Sequence, residues 1–189
     1  MPVLSRPHVL GVDDAPFTKG RDREVPIVGV LMEGADLVES VAIGSFPVDG
    51  DDPAGYLAGW IRGLRAYRSI QAILVGGVTI AGLGLIELDT LASSLRRPVL
   101  AVTRRDPSDS ELRRALRAAG LSDRIPALDR SPPALQVAPG LYVAAAGLTP
   151  GEAAALVRRT LGKSRLPEPL RIAHLVAAAL ASGESRGRV

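Results

Sequence analysis

A chain of 189 residues that is 47% hydrophobic but only 3% aromatic can fill one sizeable core with Ala, Leu, Val and Ile, and has too few rings for base stacking to dominate a nucleic-acid contact. It has no cysteine and only two histidines, which excludes disulfides, thiolate metal sites and a His-rich zinc site. The formal net charge of +3 rests on cations that are almost all arginine, and it permits a nucleic-acid partner without requiring one.

No stretch approaches the ~20 apolar residues of a membrane span, and no early apolar run suits a signal peptide. A soluble, cytoplasmic protein without a membrane partner is expected, folded as one domain over residues 1–189. The run His8-Val9-Leu10-Gly11-Val12-Asp13-Asp14 predicts a short buried strand ending on acid. Its side chains alternate, so Val9, Gly11 and Asp13 share one face while Leu10 and Val12 share the other. A carboxylate closing such a strand either forms a turn with its neighbour or lines a cleft where cations or donors meet it. Asp14 diverges from Asp13 and is expected to face away or bond backbone.

Residues 16–24 read as a polar connection. Strands follow over 25–32 and 37–46, joined by the turn Glu33-Gly34-Ala35-Asp36, which suggests an antiparallel three-strand meander. Asp52-Pro53 starts a helix expected to reach about Tyr67. Residues 70–77 are apolar enough for a strand buried on both faces, as in a parallel sheet. A Gly-rich link through Gly82 and Gly84 then leads into a helix ending near Leu95, and 98–103 is another buried strand. Asp109 caps the next helix, whose Leu112, Ala115, Leu116 and Ala119 are expected to pack inward. A hairpin about Pro139-Gly140 follows, then a capping box at Thr149 to Glu152 that opens a helix closing at Gly162. A last helix runs from Pro167 to near Gly183. A meander followed by strands alternating with helices implies an α/β fold, a mixed sheet with helices on both faces. The ribonuclease H-like arrangement fits this order. A flavodoxin-like sheet, the competitor, does not naturally begin with a meander.

The segment Leu166-Pro167-Glu168-Pro169-Leu170-Arg171-Ile172-Ala173-His174 resembles the C-terminal motif of the endonuclease V superfamily. Continued through residues 183–188, it more closely resembles an uncharacterised, mainly archaeal relative called the domain of unknown function 99 family. Gly11 to Phe17, Val48-Asp49-Gly50 and the segment Gly77 to Gly82 fit that family in the same order. The resemblance spans nearly the whole chain. It implies a ribonuclease H-like fold and a carboxylate site for Mg²⁺, with Mn²⁺ able to substitute, that cleaves a phosphodiester near a deaminated base, above all inosine.

Carried over by position, Asp13 matches the acid of the first strand and His174 the final motif position. Gly76-Gly77 stands where the relatives have Asp-Gly, and the wedge motif Pro-Tyr-Ile-Pro is missing. Asp49 and Asp52 lie where a further acid belongs, and otherwise serve turn and cap roles. Two-metal hydrolysis needs carboxylates that hold two cations ~3.5–4 Å apart. Asp13 and His174, with Asp52, are better suited to one weakly held ion. The resemblance thus implies a nucleic-acid-binding relative with a degenerate nuclease site. The alternatives are an active Mg²⁺-dependent endonuclease and a protein-interaction module on the same scaffold. Arg171 can pair with Asp13 or contact phosphate. Arg104 and Arg105 follow a strand end where α/β sheets place ligands, and with Gly76 and Gly77 they complete the candidate substrate surface. His174 sits at helical spacing from Leu170 and Ala178, which also suits a core histidine. Glu168 complements the helix dipole, and Glu87 reads as a solvent-facing helix residue.

Overall fold

A computed structural model describes residues 6–104 and 109–185. Strands β1 (His8–Asp14), β2 (Glu24–Glu33) and β3 (Leu37–Pro47) form the antiparallel meander. Helix α1 (Pro53–Gly63) leads to β4 (Ala72–Val75), which lies parallel to β1. The two-residue strands β5 (Thr79–Ile80) and β6 (Gly84–Leu85) pair with each other ahead of α2 (Leu88–Leu95). Strand β7 (Val99–Thr103) runs parallel to β4 and is followed by α3 (Asp109–Ala118) and the short α4 (Ile125–Asp129). The hairpin β8 (Leu135–Ala138) and β9 (Leu141–Ala146) adds antiparallel to β7, and α5 (Pro150–Thr160) and α6 (Glu168–Ser182) complete the chain. The seven-stranded order is β3-β2-β1-β4-β7-β9-β8.

Register explains the two cores. Gly29 and Gly44 lie under Trp60 of α1, so Leu10, Val12 and Ile73 face α1 and α2. Val9, Leu74, Leu100 and Val143 face the other way, against Ala153, Leu156 and Val157 of α5 and Leu170 of α6. Helices therefore cover both faces of a mixed sheet, as the order of elements implied.

Boundaries moved where local chemistry competed. Helix α1 stops at Gly63 rather than Tyr67, because Leu64 is extended and the Tyr67 hydroxyl donates to the Leu95 carbonyl across a separate turn. The Gly-rich link folds back on itself through left-handed Ala81 (φ 50°) and Gly82 (φ 97°), producing β5 and β6. Helix α4 was not anticipated. It places Leu128 against Leu116 and Leu85, while Ala119, expected inward, is exposed. The capping box at Thr149 and Glu152 is present, and Gly183 ends α6 with φ 78°. Among the described residues no helix is long and apolar enough to cross a membrane.

Candidate active site at the carboxyl end of the first strand

Because β1, β4 and β7 run parallel, their carboxyl ends share one edge of the sheet, where ligands of α/β folds collect. That edge carries Asp13 and Asp14 from β1, Gly76 and Gly77 just beyond β4, and Arg104 just beyond β7. Helix α6 reaches it by crossing β1 at Gly11. A methyl group there would overlap the Pro169 carbonyl and the Leu170 amide, so the backbones meet where only hydrogen fits.

This crossing brings His174 to Asp13. Their Nδ1 and Oδ2 atoms are 2.8 Å apart although 161 positions separate them along the chain. The imidazole is 58% exposed and the carboxylate 17%, so the pair opens to solvent from a half-buried base. It is not a core histidine. The hydrogen bond to Asp13 raises the His174 pKa, outweighing burial and the nearby Arg104 charge.

Asp14 points to the opposite face and accepts a hydrogen bond from the Ala81 amide at 3.0 Å. Burial, reinforced by the like charge of Asp13, pushes its carboxyl up from 3.8 to about 6. Asp49, itself left-handed at φ 53°, grips the same loop. Its amide donates to the Ala81 carbonyl, its Oδ1 accepts from the Leu83 amide at 2.9 Å, and its Oδ2 meets Lys19 Nζ at 2.6 Å. Arg124 adds hydrogen bonds to the Leu83 and Asp49 carbonyls, each at 2.7 Å. Two carboxylates and one guanidinium therefore fix the hairpin beside the Asp13–His174 pair. Sequence reasoning had no view of Lys19 or Arg124. No motif marks them, and only the tertiary fold supplies their partners.

The remaining candidates separate. Gly76 adjoins Asp13, and a Cβ built there would lie 2.7 Å from Asp13 Oδ1. Gly77, at φ 139°, turns the chain away. Arg104 is exposed and close enough to His174 to lower its basicity. Arg105 lies outside the described residues. Arg171 does not pair with Asp13. It forms a bidentate contact with the buried Glu168 one helical turn away, with Nη2 2.6 Å from Oε2. Asp52, considered for metal, instead accepts from the Gly55 amide as the cap of α1. It lines a hollow of about 400 Å³ with Glu87, Asp123 and Arg130, a lining that includes neither Asp13 nor His174. Glu87 precedes α2 and pairs with Arg130.

Among the described residues no group of three or more Asp, Glu or His side chains converges as a ready metal cage. On the His174 side the hard oxygen donor is Asp13, since Asp14 points to the opposite face and accepts from the Ala81 amide. Such a donor set suits one oxygen-seeking divalent ion that keeps several waters, and does not suit two.

Comparisons with known proteins bear on the family and the fold. The model of the family described as endonuclease dU matches residues 5–181. A UPF0215 protein of Thermococcus gammatolerans is 36% identical over 94% of this chain and 94% of its own length. The crystal structure of an Archaeoglobus fulgidus protein superposes with a TM-score of 0.84 at 31% identity, covering 92% of this chain and 98% of that one. Ciona intestinalis endonuclease V, solved with a 24-mer DNA containing an inosine, superposes with a TM-score of 0.54 at 15% identity over 89% of this chain and 82% of that one, a likeness of fold.

Proposed function

The chain belongs to the endonuclease dU family, and from that premise we propose that it is a metal-dependent endonuclease that cuts DNA beside deoxyuridine. The observation that carries the reading is the solvent-open Asp13–His174 pair at the ligand-binding edge of the sheet. With Nδ1 committed to Asp13, the imidazole has Nε2 left to face a substrate, and the hydrogen bond to Asp13 favours the protonated ring. His174 is thus suited to protonate the departing oxygen of a phosphodiester as a general acid. Asp13 Oδ2 orients that ring, while Oδ1 faces the space left by the missing side chain of Gly76. Asp13 is the carboxylate that would hold Mg²⁺ or Mn²⁺, with water and the substrate phosphate completing its shell. A bound ion supplies Lewis-acid stabilisation of charge developing on the phosphate. Exposed Arg104 is placed for the phosphate backbone.

A second reading, binding without cleavage, draws on Gly76, where a fourth-strand carboxylate is absent. One experiment tests both. Labelled duplexes carrying a single deoxyuridine, inosine or thymidine are incubated with Mg²⁺ or Mn²⁺ and the wild-type protein, Asp13→Ala or His174→Ala. We expect cleavage at deoxyuridine that falls on the order of 100-fold or more in both variants. Salt-dependent binding without cleavage selects the second reading. Neither binding nor cleavage overturns both.

A further inference from the structure

We propose that the outer side of α6 and the uncovered face of β3 form a twofold interface with a second copy of this chain. Two observations converge on that face. From Ile172 to Ala181, α6 has a single polar side chain, His174, so it is apolar all round although it lies at the surface. A helix of that kind is ordinarily covered on every side. Beside it, β3 presents Val38, Val41 and Ile43 at 42%, 49% and 57% exposure. The register puts Val41 opposite Val30 and Ile43 opposite Val28, hence on the α6 side of the sheet. Among the described residues no helix packs closely over them, because α6 packs mainly over β1 and β2.

The shape is a step, a raised apolar helix beside a bare apolar shelf. A step is self-complementary under a twofold axis, since the helix of each copy can seat on the shelf of the other. Shelf and helix together span on the order of 30 Å by 20 Å, comparable with the roughly 800 Å² per partner that a stable interface buries. Charge excludes nucleic acid as the occupant. Neither β3 nor the Ile172–Ala181 stretch contains Lys or Arg, and the lone β3 acid, Glu39, already meets His8 at 2.7 Å.

The test is sedimentation equilibrium of the full chain from 1 to 100 µM, on the wild type and on the double variant Val41→Lys with Ile43→Lys. Both sites are solvent-exposed, and far-UV circular dichroism melts establish that the variant folds. A wild-type dimer is expected, whose dissociation constant rises on the order of 100-fold or more when the lysines are buried against the apolar α6 of the second copy. In Ala179→Cys, the introduced thiol is the sole one in the chain, and a short bis-maleimide is expected to link two copies. A wild-type monomer at 100 µM overturns the proposal and leaves the face to another protein or to lipid. A dimer that is insensitive to the lysines and does not cross-link at Ala179 also overturns it, by moving the interface elsewhere.

Discussion

At the level of single residues, the site is a set of coupled protons. Asp14 binds its proton more tightly when folded, with its pKa moved from 3.8 to about 6. The stability it gives is therefore complete below about pH 4 and lost as pH rises through about 6. Asp14→Asn keeps an acceptor for the Ala81 amide while removing the charge. It is expected to raise unfolding free energy at pH 7.5 by roughly 1–2 kcal/mol and to flatten the pH dependence of chemical denaturation between 4 and 7. His174 has the same sign: its stabilising pairing is present below about pH 6.5 and fades as pH passes its raised folded pKa. With only two histidines, NMR titration can follow His174 directly, and Asp13→Asn should move its midpoint down. Gly76→Asp sets a third carboxylate beside Asp13 Oδ1. Without metal this variant should melt earlier than wild type, and Mn²⁺ should raise its Tm more than it raises that of wild type. Asp13 and His174 were legible as candidates, but their contact was not, because no local pattern encodes a meeting across 161 positions. The Glu168–Arg171 pair, by contrast, stands at helical i,i+3 spacing and was there to be read.

Among the elements, α6 is the one on which the site depends. Its approach to β1 requires hydrogen at Gly11, so Gly11→Ala is expected to cost about 3 kcal/mol or more in urea denaturation, and to abolish cleavage by shifting His174. Thr149→Ala, which removes the capping box of α5, should cost about 1 kcal/mol and leave cleavage unchanged. Strands β1 to β3, β4, β7 and the hairpin β8–β9 were readable because alternation or unbroken apolar runs separate strands from turns. Helix α4 was not readable. Its five residues include Pro126 and rest on a small cluster around Leu128, so tertiary contact decides its conformation. The early stop of α1 has the same origin, since the Tyr67–Leu95 hydrogen bond belongs to no sequence window.

For the whole molecule, the sheet order β3-β2-β1-β4-β7-β9-β8 puts β1 near the middle, with antiparallel partners toward each edge and parallel strands at the centre. The order of elements foretold this mixture, and it sets the fold apart from a fully parallel sheet. A net charge of only +3 predicts a modest electrostatic contribution to DNA binding. A plot of log affinity against log salt concentration for a deoxyuridine duplex should have a slope of roughly −2 to −4, and Arg104→Ala should reduce it by about 1.

The crossing at Gly11 also orders events in time. During synthesis β1 leaves the ribosome well before α6, so the acid waits without its imidazole while everything between them is made. A partly translated chain therefore lacks the Asp13–His174 pair, and on the proposed reading any cleavage has to await the arrival of α6.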